Sequence, residues 1–122
     1  MKENSVKRGE VDWEKKENKQ LVEAFLLLKN DGEARRFLRD LMTESEIKEF
    51  ANRFEAARLL TRSVQYCAII EKTGLSSTTI ARISKWLKGP LGGYRLVLNK
   101  LHHTRSQNFV GKGLSSLSRQ SS

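Results

Sequence analysis

The stretch from Tyr66 to Leu87, YCAIIEKTGLSSTTIARISKWL, constrains the fold more than any other part of the chain. Its pattern indicates two short helices that are separated by a break at residues 72–74, where a glycine ends the first one. After the break, apolar residues recur at helical spacing, so the second helix has one face to bury: Ile80, Ile83 and Leu87. A serine hydroxyl at position 76 or 77 caps this helix, because it accepts a hydrogen bond from a first-turn N–H. The pattern predicts a helix-turn-helix whose second helix spans Ser76–Lys88.

The other face of this second helix is polar and contains no acid. Its side chains are all hydrogen-bond donors: Ser77, Thr78, Thr79, Arg82 and Lys85. A short helix of this kind fits the DNA major groove, where donors bond to base edges and phosphates. One position departs from the usual motif, since Ile70, four residues before the turn glycine, is larger than the small residue common there.

Charge is distributed unevenly along the chain. Residues 1–55 carry 12 lysines and arginines against 13 acids, whereas residues 56–122 carry 11 against a single acid, Glu71. A solvated surface with no special role mixes both signs, as the first half does. The second half therefore carries +10 and the first half −1, so the whole net charge of +9 comes from the second half. This surplus predicts a polyanionic partner.

The remainder of the chain predicts an all-α fold. Four further helices are expected: Trp13 to Lys29, Glu33 to Met42 with Asp31 as its cap, Thr43 to about Leu60, and Tyr94 to about Leu101. No repeat or strand pattern is present, so about six helices are predicted in all. Residues 1–12 are predicted to be a flexible arm and residues 102–122 a disordered basic tail. One helical domain remains, residues 13–101, with the helix-turn-helix at about residues 64–88.

The apolar faces of the first three predicted helices are wider than one small domain needs. On the first helix the face comprises Leu21, Val22, Phe25, Leu26 and Leu28, and on the third Ile47, Phe50, Ala51, Phe54, Ala57 and Leu60. Because the chain is short, we expect a partner chain to bury part of this surface.

Other kinds of function have little support in the sequence. His102 and His103 are adjacent, so they cannot share a helix face, and no metal site is expected. Cys67 has no His or second Cys beside it, and we expect it to be a small packing residue. No nucleophile elbow or phosphate-binding glycine loop is present, which predicts no catalytic residues, no cofactor and no enzyme activity. No apolar run approaches the length of a membrane span and no leader is visible, so a soluble, cytoplasmic protein is predicted.

Several segments resemble the tryptophan-repressor-like proteins of the YerC/YecD group. They are FLRDLMTESEI from Phe37, Arg53, ARLL at 57–60, EKTG-x-S-x-TTI-x-R from Glu71 to Arg82, and GGYRLVLNKL at the end. The resemblance covers about residues 13–101. It implies a six-helix tryptophan-repressor-like fold in which two chains intertwine as a homodimer through their N-terminal helices.

The resemblance also implies roles for individual residues. Thr78, Thr79, Arg82 and Lys85 would face the groove, and Gln65 and Lys72 would approach phosphates. With Ser76 and Ser77 from the helix start, these are the expected DNA-binding residues. Two-fold symmetry predicts a palindromic site with half-sites on the order of 10 base pairs apart.

The tryptophan switch of the tryptophan repressor itself is not expected here. By the resemblance, Arg82 matches one of that repressor's ligand-binding arginines, but the other falls at or beside Glu55, where an acid would repel a carboxylate. The small glycine after the first arginine is replaced by Ile83, whose side chain would fill the pocket. The effector, if there is one, is left unknown by the sequence.

We therefore interpret the chain as a sequence-specific transcriptional regulator, a repressor, that binds double-stranded DNA. Two alternatives remain open. In the first, the chain is a protein-interaction module that uses the helix-turn-helix as a packing scaffold. In the second, the basic tail binds RNA.

Overall fold

A computed structural model describes residues 9–115 and the side chains of residues 9–104. Between residues 9 and 115 the chain forms six α-helices and no strand, which confirms the all-α prediction. They are α1 (Lys16–Leu27), α2 (Asp31–Leu41), α3 (Glu44–Thr61), α4 (Tyr66–Thr73), α5 (Ser77–Lys88) and α6 (Gly93–Ser115). The chain divides into two compact units, residues 1–44 and residues 45–122.

The first unit contains α1 and α2, and neither helix has a buried residue. The rings of Phe25 and Phe37 meet edge to face with their centroids 5.5 Å apart. Large apolar side chains nevertheless remain exposed to solvent: Leu26 is 79% exposed and Leu27 is 71% exposed. Burial of apolar surface must offset the entropy that is lost on ordering the chain, so the exposed apolar side chains of α1 and α2 need another surface to pack against.

The start of α2 differs from the expected one. Its N-cap is Asn30 rather than Asp31: the Asn30 side-chain oxygen accepts a hydrogen bond from the Glu33 N–H at 2.9 Å. The Glu33 carboxylate in turn accepts one from the Lys29 N–H at 3.0 Å. Asp31 is the first helical residue and pairs with Arg35 at 2.9 Å. The helix therefore starts two residues before Glu33, because asparagine caps as well as aspartate.

The second unit contains the core of the protein. Its buried apolar residues come from α3, α4, α5 and the turn between the last two: Ala56, Ala57, Leu59, Ile69, Leu75, Ile80, Ile83 and Leu87. Tyr94 and Leu98 of α6 pack against this cluster. Ile69, Ile80 and Ile83 are fully buried. Each such side chain stabilises the fold by about 1.5–3 kcal/mol, so this core holds α5 in place.

Only the C-terminal part of α3 enters that core. Ala56, Ala57 and Leu59 are buried, whereas Phe50, which the pattern places on the inner face, is 45% exposed. The periodicity of α3 thus identifies an apolar face along the whole helix, but the four-helix unit covers only its last turns.

The last helix is longer than expected. It was predicted to end near Leu101, and instead it continues through Ser115. No proline interrupts residues 102–115, and extending an existing helix adds one hydrogen bond per residue ordered. Residues 9–12 are non-helical. The rest of the predicted arm, residues 1–8, and residues 116–122 of the predicted tail lie outside the described residues, and the domain limits stay predictions.

Candidate nucleic-acid interface

Helices α4 and α5 form a helix-turn-helix at the place that the sequence predicts. Gly74 ends α4 with a φ of 76°, and its N–H donates to the Ile70 carbonyl at 2.8 Å. Glycine adopts this left-handed conformation without the steric cost that a Cβ brings. Ile70 does not obstruct the approach of the helices, because its side chain is 36% exposed and Ile69 takes the buried position.

Thr73 connects the end of α4 to the turn, a role that the sequence analysis missed. Its side chain is buried, and its hydroxyl donates to the Ile69 carbonyl at 2.8 Å. The same hydroxyl oxygen accepts from the Leu75 N–H at 3.2 Å. The turn backbone is therefore satisfied inside the core. The signal available in the sequence was a threonine next to the turn glycine, where a hydroxyl often bonds locally.

Ser76 is the N-cap of α5, as one of the two expected alternatives. Its hydroxyl oxygen accepts from the Thr79 N–H at 3.1 Å, and it lies 3.1 Å from the Thr79 hydroxyl oxygen. Both residues belong to the predicted DNA-binding set, and both take part in the hydrogen bonds at the start of the helix. Thr79 is also only half-exposed, which leaves Ser77 and Thr78 as the open hydroxyl groups of the first turn.

The outer face of α5 is basic and open. Its exposed side chains are Ser77, Thr78, Ala81, Arg82, Lys85 and Lys88. The helix has no acid in its first turn and two lysines in its last. Ile80 and Ile83, on the inner face, are fully buried and hold the helix from behind. Lys88 is not among the DNA-binding residues expected from the sequence, although its spacing of three from Lys85 places it on the same face.

The two predicted phosphate contacts lie at opposite ends of α4. Gln65 is the N-cap residue of α4 and is exposed, and its side chain makes no capping bond. Lys72 is exposed in the last turn. Cys67 is exposed as well, so the prediction that it packs is wrong. It is two residues from Ile69, and that spacing places it on the other side of the helix.

An acid lies among basic residues next to these helices. Arg58 holds the Glu55 carboxylate with two hydrogen bonds, from Nε at 3.0 Å and from Nη2 at 2.8 Å. The Arg58 hydrogen bonds lower the pKa of Glu55; partial burial opposes this, and the charges of Lys72 and Arg62 lower it further. The carboxylate is therefore held in its charged form, where it offsets part of the positive charge of this surface.

A cavity that opens to solvent lies beside the turn. It has a volume of about 300 Å³, and its walls come from the first half of α3 and from the turn, including Lys48, Asn52 and Gly74. Ile83 does not line this space and is fully buried.

Neither a metal site nor a membrane span is found in the described part of the chain. Between residues 9 and 104, no group of three or more His, Cys, Asp or Glu side chains could hold a metal ion. His102 and His103 are exposed on α6. Among the described helices, none combines the length and the apolar character needed to cross a membrane.

Comparison with known proteins agrees with this architecture. Residues 16–102 match the Trp repressor protein family. The chain is 36% identical to YerC, an uncharacterized protein of Bacillus subtilis (strain 168), over 93 residues. The aligned region covers 76% of this chain and 89% of YerC. A TrpR-like protein from Eubacterium eligens ATCC 27750, known from its crystal structure, is 37% identical with a TM-score of 0.70, covering 74% of this chain and 93% of that one. The protein therefore belongs to the Trp repressor protein family, a family of helical DNA-binding regulators.

Proposed function

We propose that this protein is a homodimeric, sequence-specific DNA-binding repressor of transcription that does not respond to tryptophan. The observation that carries the proposal is the outer face of α5. It presents exposed donors and no acid to solvent, while Ile80 and Ile83 fix the opposite face in the core. A rigid helix with such a face suits insertion into the major groove.

In this proposal, each exposed residue of α5 has its own role in contacting the DNA. Arg82, in the middle of the face, bonds a base edge, since an arginine donates two hydrogen bonds to guanine. Ala81 beside it is small, which lets the helix approach the bases closely. Ser77 and Thr78 lie in the first turn of α5, and Lys85, three residues after Arg82, also faces the groove.

Flanking contacts come from the rest of the helix-turn-helix. Ser76 and Thr79 orient the start of α5 and lie near the backbone of the DNA. Gln65 and Lys72, at the two ends of α4, contact phosphates on either side. Phosphate contacts fix the register of the protein on DNA, and base contacts select the sequence.

The homodimer is supported by the first unit. With no buried residue in α1 or α2 and with Leu26 and Leu27 largely exposed, a second copy of the chain supplies the missing cover. Two copies then present two α5 helices to a palindromic site, with half-sites about 10 base pairs apart.

Ile83 supports the independence from tryptophan. Its side chain is fully buried, and by the resemblance it stands where the family's tryptophan-responsive member has a glycine. The family relationship supports repression as the proposed role, and the protein would act in the cytoplasm, on the nucleoid.

Selection of bound sequences from a random DNA pool tests the proposal, followed by titration of full-length protein against the enriched sequence. We expect one palindromic sequence to be enriched, with affinity that falls steeply as salt rises. Arg82→Ala should cost about 1–3 kcal/mol of binding free energy and relax selection at one base. The matched control is Arg36→Ala, an exposed arginine of α2, which should leave binding unchanged.

Added tryptophan should leave the affinity of the wild-type protein unchanged. Absence of any enriched sequence, together with binding that salt does not weaken, would overturn the proposal. It would favour the protein-interaction module instead.

A further inference from the structure

The C-terminal end of α5 is held by a side chain from the next helix. One terminal nitrogen of Arg95, Nη1, donates hydrogen bonds to the carbonyl of Leu87 and, at 2.9 Å, to the carbonyl of Gly89. The last carbonyls of a helix have no partner within the helix, and they carry the negative end of its dipole. A guanidinium at this position satisfies both needs at once.

The connection between α5 and α6 is shaped to admit this guanidinium. Gly92 has a φ of 68°, and its carbonyl accepts the Leu96 N–H at 2.9 Å as α6 begins. A Cβ built on Gly92 would lie 2.7 Å from Nη2 of Arg95, inside van der Waals contact. The space beside Gly92 is therefore occupied by the Arg95 side chain, and a Cβ at this position would require the end of that side chain to shift.

The carbonyls that Arg95 binds lie at the C-terminal end of α5, that of Leu87 in its last turn and that of Gly89 at its C-cap. Leu87 is a buried core residue of α5, and Lys85 and Lys88 on either side of it are exposed on the outer face. A change in the last turn of α5 thus moves the basic end of that face. Base contacts demand such precision more than phosphate contacts do, because hydrogen bonds to base edges are directional whereas attraction to phosphates is not.

We propose that Arg95, admitted by Gly92, is a positioning residue that fixes the last turn of α5 and so sets the sequence discrimination of the protein. This inference rests on the proposed function, since it assigns Arg95 a role in the same interface. Arg95 itself does not touch the DNA. Its loss lowers the preference for the selected sequence over random DNA, and leaves the electrostatic attraction to DNA nearly as it was.

The test uses full-length protein with two DNA duplexes of equal length, one carrying the selected sequence and one of random sequence. Arg95→Gln removes the clamp and one positive charge. Lys100→Gln is the matched control, because Lys100 is an exposed residue of the same helix and loses the same charge. We expect Arg95→Gln to reduce the ratio of the two affinities by about tenfold, the scale of one base contact. Binding to random DNA should fall no further than in Lys100→Gln.

A second pair of variants leaves the net charge unchanged. Gly92→Ala crowds the guanidinium and also strains the backbone, whose φ is 68°, whereas Gly93→Ala controls for the added methyl group, since a Cβ on Gly93 meets no atom within 4 Å. Gly92→Ala combined with Arg95→Gln separates the two effects, because backbone strain would add to the loss in Arg95→Gln and displacement of the guanidinium would not. Gly92→Ala should reproduce the loss of discrimination, and Gly93→Ala should not. Amide hydrogen exchange in the last turn of α5 should speed up in Arg95→Gln and Gly92→Ala alone, with helix content by circular dichroism unchanged.

Two results would contradict the inference. Equal affinity ratios in Arg95→Gln and Lys100→Gln would show that Arg95 acts through its charge only. Unchanged exchange in the last turn would show that no clamp exists. Failure of the proposed function is visible separately, because the wild-type protein itself would then show no preference between the two duplexes, and the inference would fall with it.

Discussion

Thr73 shows how a single buried hydroxyl holds the helix-turn-helix together. It bonds the Ile69 carbonyl on one side and the Leu75 N–H on the other, within the core. Thr73→Val keeps the shape of the side chain and removes both bonds, which leaves a buried N–H without a partner. We expect a loss of about 1–3 kcal/mol in the free energy of unfolding, measured by urea denaturation.

Thr73→Ser is the control for this prediction, because it keeps the hydroxyl and removes only a methyl group. It should cost less than Thr73→Val. If serine proves the more damaging of the two, packing of the methyl group and not the hydrogen bonds stabilises the turn.

Glu55 makes the stability of the protein depend on pH. Its pKa is lowered in the folded state, first by the Arg58 hydrogen bonds, with Lys72 and Arg62 adding to the effect. A lowered pKa stabilises the fold above the unfolded-state pKa, and this stabilisation is lost as pH falls through the folded-state pKa. Glu55→Gln should therefore reduce stability at about pH 7, by at most about 1 kcal/mol, and by less at an acid pH below the unfolded-state pKa.

Urea midpoints at the two pH values measure this difference. Glu71→Gln serves as the control, since Glu71 is an exposed carboxylate of α4 and the structure gives it no ion pair among the described residues. A loss that is as large at low pH as at neutral pH would mean that Glu55 stabilises the fold by packing and not by charge.

At the scale of the element, substitutions at Ser76, the N-cap of α5, should change the stability of the protein and its DNA affinity in different ways. The Ser76 hydroxyl accepts the Thr79 N–H, so Ser76→Ala should cost about 1 kcal/mol of stability in thermal or urea unfolding. Ser76→Asp keeps a capping oxygen and adds a negative charge that suits the helix N-terminus. It should match the wild-type stability while weakening DNA binding severalfold, because the new charge repels phosphates.

Measurement of both stability and DNA affinity in the two Ser76 variants distinguishes the effect on folding from the effect on binding. The aspartate variant should be the more stable protein and the weaker binder. Equal DNA affinity in Ser76→Asp and wild type would place the start of α5 away from the phosphate backbone and would contradict the proposed orientation.

The elements show what could be predicted from sequence and where prediction stopped. The bounds of α5 could be predicted from local chemistry, because its cap, its buried apolar positions and the glycines before and after it all lie within the helix or next to it in the sequence. The burial of α3 did not, since the exposure of Phe50 depends on which other elements reach it. The end of α6 was missed for another reason: the composition after His102, with its serines and glycines, predicted disorder, whereas the helix continues through Ser115.

The same division holds for the candidate site. The outward positions of Thr78, Arg82 and Lys85 followed from helical spacing, which needs no knowledge of the rest of the fold. Arg95 was not found, because its partners, the carbonyls of Leu87 and Gly89, are backbone atoms that leave no mark on the sequence. Such contacts depend on how a loop turns, and Gly92 was the only local hint.

At the scale of the whole molecule, the exposed apolar surface of α1 calls for a second chain. Leu26 is 79% exposed, so within one chain a charged residue there costs little. In the proposed dimer the same position is covered, and a buried charge without a partner is costly. Leu26→Glu should therefore convert the dimer to monomers in sedimentation equilibrium, with the helix content of the second unit retained.

Gln20→Glu is the matched control, because it adds the same charge at another exposed position of α1. It should remain dimeric. The consequence for DNA follows from symmetry: a monomer binds one half-site only, so Leu26→Glu should lose most of its affinity for the palindrome and bind palindrome and half-site almost equally. A Leu26→Glu protein that stays dimeric would place the dimer interface elsewhere, and the wide apolar face of α1 would then need a different partner.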